Sequence, residues 1–535
     1  MRAAGTGLDA DTCRRAVARR DARFDGWFVA GTATNGGYCR PSCDTLGREP
    51  VIFRSAASAQ AAGLLACRHC RPDGAPGSPE WDLRTDLAAR AVRLITDGAV
   101  EREGVAGLAG RLGCSAERLT AVLGAELGAG PLELAAARRA QVAWLLLVGT
   151  DLPASEVACA AGFGGRRQLD GALLAVYGMA AEALRAAGPR PPGSPAGLGG
   201  TGLGGSGAGT QVTGERVTTI ALRLPTRAPV DAAGLLSFLV RRAVPGVEHG
   251  CAGRYARTLA LPHGPATVAL GVDGRGVDAV FRLSDLRDLG PALARIRRLT
   301  DADTDPAGAD EVLAADPALA PSVLATPGIR VPGAVDGPEL VLRALLGQQV
   351  SVAAARTTTA RLAAALGAEL PPSLRAAAQP LPPSLRAAAQ PPPADGDLPA
   401  RDAPPGGELR RLFPTPDRVA EDGAGVLTGP RRRIAAIRGV AAALAAGDLR
   451  VHAGRDPVEL SNDLQALPGI GPWTAGYVAM RVLGATDVLL STDLMVRRGA
   501  EALGLPATVP GLEEHSRRWR PWRSYAAMHL WRNSG

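Results

Sequence analysis

The chain has 535 residues, enough for several domains that each bury a core, and its 60 basic against 52 acidic residues give a formal net charge of +8 and a pI near 9.4. That balance suits a polyanionic partner, and because no lysine occurs, every basic residue is arginine and no lysine Schiff base can form. No apolar signal region opens the sequence and no run of about 18 uncharged apolar residues occurs, so neither secretion nor a membrane partner is expected and the cytoplasm is the expected compartment.

Eight cysteines in a reducing compartment read as free thiols or metal ligands rather than a disulfide framework. Cys39 and Cys43 form a C-x3-C pair and Cys67 and Cys70 a C-x2-C pair, and each spacing can place two sulfurs on one tetrahedral metal. Four thiolates favour one zinc ion, and on spacing alone a purely structural site is the leading reading. Cys13, Cys114, Cys159 and Cys251 show no metal spacing and read as inert thiols.

The flanking residues add chemistry. Phe28 to Cys43 reads FVAGTATNGGYCRPSC and Ala66 to Asp73 reads ACRHCRPD; together they resemble the Ada-type methylphosphotriester acceptor domain. The resemblance implies that Cys39 takes a methyl group from a DNA methylphosphotriester while still bound to zinc, the other three cysteines being ligands only. A zinc-bound thiolate stays deprotonated and nucleophilic, and its methylation removes one negative charge beside DNA, which strengthens phosphate contact. Asn35 and Gly37 depart from the Thr and Ile usual in this family.

A Pro and Gly cluster from Pro72 to Pro79 ends this module, and a helical stretch follows from near Trp81. Leu108, Ala109, Leu112, Gly113, Ser115 and Leu119 predict a helix, a tight turn and a second helix with Ser115 as its N-cap; Val157, Ala158, Ala161, Gly162, Phe163 and Leu169 repeat the pattern. With Gly128, Pro131 and Tyr177-Gly178, the pair resembles an AraC-type DNA-binding domain. Arg166, Arg167 and Gln168 are its expected DNA contacts. Thr120, Asp170 and Leu174 stand where the family usually carries Arg or Asn, so a helical bundle without sequence-specific binding is the competing reading.

The Pro- and Gly-rich run over 188–214 predicts a flexible tether. Beyond it, alternating runs such as Thr267 to Gly271 and Val277 to Phe281 predict strands, and the chain then turns helical. The decapeptide PPSLRAAAQP at Pro371 to Pro380 recurs at Pro382 to Pro391, and with the Pro-rich run to Gly407 it predicts a disordered surface insertion over 371–407. Leu464 to Ala475, LQALPGIGPWTA, predicts a helix-hairpin-helix in which Gly469 and Gly471 let backbone and the following helix start, including Thr474, approach a DNA phosphate.

After that hairpin comes DVLLSTDLMVRR at Asp487 to Arg498, and elsewhere stand GQQVS at Gly347 to Ser351, LTGPRRRIAAIR at Leu427 to Arg438 and RWRPWRSYAAMHLW at Arg518 to Trp531. These resemble the AlkA-type 3-methyladenine DNA glycosylases from about residue 215 to the end of the sequence. The resemblance implies Asp493 as the catalytic carboxylate and Trp473, Tyr477 and Trp531 as the lining of a pocket for a flipped base. It also implies Gln349 as the wedge into the vacated helix, and carbonyls of Gln465, Leu467 and Gly469 as ligands of a monovalent cation. Asp493 sits at an expected helix start, where an N-cap is the bland reading and the positive dipole end keeps a carboxylate ionised.

The expected architecture is multidomain α+β: an Ada-type zinc-binding α/β module over 1–80, an all-α double helix-turn-helix domain over 81–187, a linker over 188–214, an AlkA-like small β/α domain over 215–300, and helical helix-hairpin-helix domains over 301–535 interrupted at 371–407. The expected activity is monofunctional release of alkylated bases from double-stranded DNA, joined to methyl transfer onto Cys39 and transcriptional regulation. Promoter DNA and RNA polymerase are left open as further partners, and a monomer is expected. The rival is a methylation-responsive regulator with a non-catalytic, damage-binding C-terminal half, against which stands the pattern around Asp493.

Overall fold

A computed structural model describes residues 10–21, 24–32, 36–46, 50–67, 70, 72, 87–187, 217–251, 253–274, 276–375 and 408–534. The chain forms two compact units, Met1–Gly209 with Asp285–Ala294 and Thr210–Ser284 with Arg295–Gly535.

The first unit opens with helix α1 (Ala10–Ala18) and a four-stranded sheet of order β3-β1-β2-β4, made of β1 (Val29–Thr32), β2 (Gly37–Cys39), β3 (Val51–Phe53) and β4 (Leu65–Ala66). Cys13, Ala16, Phe28 and Ala30 form its small core. Strand β4 runs parallel to β2 with Tyr38 opposite Ala66, and the Cys67 N–H donates to the Tyr38 carbonyl at 3.0 Å. This register brings Cys39 and Cys67, far apart in sequence, to neighbouring strand ends. Helix α2 (Ala56–Ala61) starts in a capping box in which Ser55 and Ser58 each accept from the other's N–H.

The helical part of this unit contains both expected helix-turn-helix pairs, α4 (Ala99–Leu112) with α5 (Ala116–Leu127) and α7 (Ala154–Ala160) with α8 (Arg166–Tyr177), preceded by α3 (Leu87–Thr96), separated by α6 (Pro131–Gly149) and followed by α9 (Ala181–Ala187). Gly113, at φ +71, turns the chain out of α4, and Ser115 caps α5 by accepting from the Arg118 N–H at 3.1 Å. Leu94, Leu108, Leu112, Leu119, Leu123 and Leu127 close the core of the first pair. The start expected near Trp81 lies outside the described residues.

The second unit begins with a five-stranded antiparallel sheet of order β5-β9-β8-β7-β6, made of β5 (Thr218–Pro225), β6 (Glu248–Cys251), β7 (Arg254–Leu261), β8 (Gly264–Asp273) and β9 (Gly276–Leu283). Helix α10 (Ala232–Arg241) connects β5 to β6. The helices that matter for the site are α11 (Gly337–Leu346), α12 (Val352–Leu366), α13 (Pro416–Val426), α14 (Arg431–Ala446), α15 (Pro457–Gln465), α16 (Pro472–Val482), α17 (Leu494–Ala502) and α18 (Arg523–Arg532). They surround two apolar cores. One holds Val341, Leu345, Ile437, Leu464 and Val478; the other holds Val496, Ala500, Trp519, Tyr525 and Leu530, and Met480 of α16 enters this second core. Helix α16 is thus a wall common to both.

A buried ionic knot joins sheet to helices. Arg257 donates to Glu248 at 3.2 Å and to Glu339 at 2.7 Å, and Arg343 donates to both carboxylates and to the Arg242 carbonyl at 2.8 Å. Burial works to raise the Glu248 carboxyl, but Arg343 and Arg257 outweigh it and hold it below its ordinary range. Removing one partner leaves a buried charge uncompensated, a loss of about 3–5 kcal/mol in such settings.

The first five residues of the segment that composition marks as a disordered insertion are ordered. Residues 371–375 are folded, and Leu374, 1% exposed, packs with Leu370 and Leu409 against Ala256. A single leucine reaching a core explains why the first copy of the decapeptide begins in ordered chain. The remainder of the insertion, 376–407, and the second copy lie outside the described residues. Leu374→Ala should therefore destabilise the second unit by about 2–5 kcal/mol, the range for truncating a buried leucine, measured by denaturant unfolding. No change in the midpoint would return this segment to the surface.

Candidate functional site

In the first unit the sulfurs of Cys39, Cys43, Cys67 and Cys70 lie within 4.8 Å of one another, Cys39 and Cys43 buried and the other two half-buried. Zinc–sulfur bonds of about 2.3 Å give a tetrahedron with edges of about 3.8 Å, so the cage has the size for one zinc ion. The charges agree. Burial raises the Cys43 thiol, and Cys70 is raised chiefly because it keeps its proton in a hydrogen bond to Cys39. That bond, against the effect of burial, draws Cys39 down to about 5. Four thiolates cannot share this space without a cation, and a divalent ion supplies it.

Thr45 was not marked by any spacing in the sequence. Its hydroxyl lies 3.0 Å from the Cys43 sulfur, 3.4 Å from Cys67 and 3.5 Å from Cys39, while the Arg40 N–H donates to Cys70 at 3.3 Å.

The second helix-turn-helix pair explains its unusual residues. Asp170 accepts from the Ala181 N–H at 2.9 Å, securing the start of α9, and from Arg166 at 3.4 Å. Arg166 also pairs with Glu182. The Gln168 side-chain oxygen accepts from the Gly164 N–H at 2.7 Å, ahead of α8, and Arg167 is exposed. Two of the three expected DNA contacts are therefore engaged within the protein. Thr120 donates back to the Ala116 carbonyl, and Leu174 is exposed.

In the second unit Asp493 is the N-cap of α17 and accepts from four N–H groups. Its Oδ1 receives Met495 N at 2.8 Å, Val496 N at 3.0 Å and Trp531 Nε1 at 3.2 Å; its Oδ2 receives Trp473 Nε1 at 2.9 Å. The capping role and a functional role coincide in one carboxylate. Trp473 stacks on Tyr477, with ring centroids 5.3 Å apart and planes 6° from parallel, and both rings and Trp531 rest half-buried on the second core.

Three residues packed around Tyr477 escaped the sequence reading: Phe238, Arg242 and Arg481. The Arg242 guanidinium lies 3.8 Å from the Phe238 ring centroid, and that of Arg481 lies 4.8 Å from Phe238 and 5.3 Å from Tyr477. Arg481 also donates to the Tyr477 hydroxyl at 2.5 Å. Burial pushes Arg242 down to about 10, and the two arginines outweigh the effect of burial on Tyr477 and lower its phenol. Only the i,i+4 spacing of Tyr477 and Arg481 was visible in sequence.

The hairpin between α15 and α16 distinguishes its glycines. Gly469 has φ +88, and an added Cβ would lie 3.0 Å from Ala436, so the fold itself requires it. Gly471, the N-cap of α16, has nothing within 4 Å of an added Cβ, so packing within the protein does not require a glycine there. Thr474 is buried, its hydroxyl accepting from Gln348. Gln349 is exposed, in the turn between α11 and α12.

Helices α17 and α18 touch so closely at Gly499 that a Cβ there would lie 1.9 Å from the Leu530 carbonyl oxygen. That contact seats Asp493 beside Trp531. Gly499→Ala should part the helices, costing about 1–3 kcal/mol by overpacking, and should lower activity at this site. Unfolding and activity assays showing a neutral substitution would mean that the helix pair does not set this geometry.

Residues 12–73 match the family model described as the metal binding domain of Ada, residues 108–187 a helix-turn-helix domain, and residues 221–336 the AlkA N-terminal domain. Over 527 residues, 98% of this chain and 96% of the relative, the chain is 42% identical to the probable bifunctional transcriptional activator/DNA repair enzyme AlkA of Mycobacterium tuberculosis (strain CDC 1551 / Oshkosh). It is 32% identical over 315 residues, 57% of this chain and 95% of the relative, to DNA-3-methyladenine glycosylase 2 of Escherichia coli (strain K12). Over 88 residues, 16% of this chain and 24% of the relative, it is 39% identical to the regulatory protein ada of Salmonella typhimurium (strain LT2).

Proposed function

Because the chain belongs to the family of the bifunctional transcriptional activator/DNA repair enzyme AlkA, we propose that its second unit releases alkylated purines of the 3-methyladenine type from duplex DNA and that its first unit accepts methyl groups from DNA methylphosphotriesters on Cys39. The observation that carries the first part is the Asp493 carboxylate, fixed by two indole N–H groups and a helix start beside the stacked Trp473 and Tyr477 rings.

A base attached to the sugar must leave the helix to be reached, and the faces of Trp473, Tyr477 and Trp531 offset part of the lost stacking. An alkylated purine is already a cationic leaving group, so the bond from sugar to base breaks with its electrons going to the base. Asp493 then stabilises the oxocarbenium ion on the sugar, and water adds there and gives up a proton. Arg242 and Arg481 lie against Phe238 and Tyr477, so those rings are partly engaged with protein cations and selection by cation–π attraction falls mainly to the tryptophans. The chain offers no lysine for a strand-cleaving Schiff base.

In the first unit Cys39, Cys43, Cys67 and Cys70 would hold zinc, which when bound keeps the sulfurs deprotonated. Cys39 attacks the methyl carbon, and the DNA phosphate leaves with its negative charge restored. We also infer a monovalent cation at the carbonyls of Gln465, Leu467 and Gly469, nonspecific more than promoter-specific contact through Arg166, Arg167 and Gln168, RNA polymerase as a partner where a promoter is bound, and a monomer acting on DNA in the cytoplasm. Among the described residues no single helix is long and apolar enough to cross a membrane.

Incubation with methylated duplex DNA and chromatography of the supernatant tests the excision reading: free 3-methyladenine should appear without strand breaks, and its absence would leave a damage-binding regulator. Gly471→Ala should raise the Kd for DNA several-fold with the unfolding midpoint unchanged, since the protein itself leaves room for the methyl. Unaltered affinity would exclude a close phosphate there.

A further inference from the structure

The turn between α11 and α12 is held by few bonds. Gln349 has a left-handed backbone, φ +58, and is exposed, with Val350 and Val352 beside it 40% and 44% exposed. A non-glycine residue keeps this conformation only when its surroundings impose it. At the base of the turn, Arg433 donates to the Leu346 carbonyl at 2.9 Å and Gly347 N to the Arg343 carbonyl at 3.0 Å. At its tip, the side-chain amide of Gln348 donates twice, to the Gly469 carbonyl and to the Thr474 hydroxyl, each at 2.9 Å.

Both acceptors belong to the hairpin. Gly469 is its left-handed glycine, and Thr474, 2% exposed, follows Trp473, whose indole holds Asp493. One amide therefore links an exposed, strained turn to the expected phosphate grip and, through one residue, to the Asp493 site. We propose that Gln348 is a positioning residue: it couples insertion of the Gln349 turn into DNA with the hairpin's grip on the backbone, so that the displaced base arrives against Trp473 and Asp493. The proposal rests on the reading of the second unit as a base-flipping glycosylase. The two N–H groups of the amide satisfy both acceptors at once; a carboxylate at the same place would face the Gly469 carbonyl oxygen without a proton and keep at most a bond from the Thr474 hydroxyl.

The test is a double-substitution cycle in the full-length protein, comparing wild type, Gln348→Ala, Gln349→Ala and the double variant, with Gln348→Glu alongside. Two readouts are taken: single-turnover release of one alkylated purine from duplex DNA, and fluorescence of 2-aminopurine beside a tetrahydrofuran abasic analogue, which reports unstacking without chemistry. Loss of two neutral hydrogen bonds should lower both by about tenfold in Gln348→Ala with little change in Kd, and Gln348→Glu should do the same. In the Gln349→Ala background the same change should add less than about twofold, because coupled residues are not additive. Additive losses, or unchanged fluorescence with a lower unfolding midpoint, would assign Gln348 to the fold alone. If the wild type unstacks the reporter yet releases no base, the excision reading fails and the fluorescence cycle still decides the coupling; if it does not unstack the reporter, the coupling is refuted.

Discussion

Asp493→Asn should reduce excision of alkylated purines by about 100-fold or more, the scale of losing one fixed electrostatic partner of a developing charge, in single-turnover assays on methylated duplex DNA. Asparagine caps helices as well as aspartate does, so α17 should keep its start, with the amide oxygen retaining the Met495 and Val496 N–H bonds. The amide nitrogen then falls where Oδ2 now accepts from Trp473 Nε1 at 2.9 Å, and two N–H groups face each other. Lost activity in this variant could thus come from a displaced indole as well as from lost charge. Trp473→Phe separates the two, since it removes the opposing N–H and keeps an aromatic face. If charge is the agent, Asp493→Asn/Trp473→Phe stays inactive while Trp473→Phe alone keeps substantial activity. Recovery of excision in the double variant would show that Asp493 serves to orient Trp473.

The parts legible in sequence are those whose signal is local. The run from Thr267 to Gly271 reads as a strand and lies in β8; two short cysteine spacings become one cage; Ser115 reads as a helix cap and is one, and Asp493, read as a catalytic carboxylate with a cap as the bland alternative, does cap its helix. What stayed hidden depends on distant chain. The acceptors of Gln348 lie 121 and 126 residues downstream, and Phe238 and Arg242 reach Tyr477 and Arg481 from the small sheet domain. No period or spacing encodes such meetings. Asp170 shows a further case: its oddity in a recognition helix was visible, but its reason, the start of α9, required the fold. Leu374 sits in a proline-rich repeat whose composition predicts disorder, and one apolar contact outweighs the composition there.

Cys43→Ser should lose zinc, shown by metal analysis, and with it the folded state of the N-terminal module, because metal binding of this kind supplies about 10–16 kcal/mol to domains too small to fold without it. Among the described residues the core beside the cage is small, the cluster of Cys13, Ala16, Phe28 and Ala30 with Tyr38, Ala59 and Ala66 buried beyond it, too little to replace the metal. Methyl transfer to the remaining cysteines should vanish too. In the intact protein, exposure and chemistry favour different sulfurs. Cys67 and Cys70 are the more accessible, whereas Cys39 is only 6% exposed. Yet hydrogen bonds quiet a thiolate, and once zinc has displaced the Cys70 proton that Cys39 accepts, the closest that remain go elsewhere: the Arg40 N–H to Cys70, and the single Thr45 proton to its nearest sulfur, Cys43. That leaves Cys39 and Cys67 as the freer nucleophiles, and the match to the Ada metal-binding domain favours Cys39. Peptide mapping after incubation with methylphosphotriester DNA should place the methyl on Cys39 alone. A methyl on Cys67 would mean that access governs the reaction, and one on Cys43 or Cys70 would mean that the hydrogen bonds do not control it.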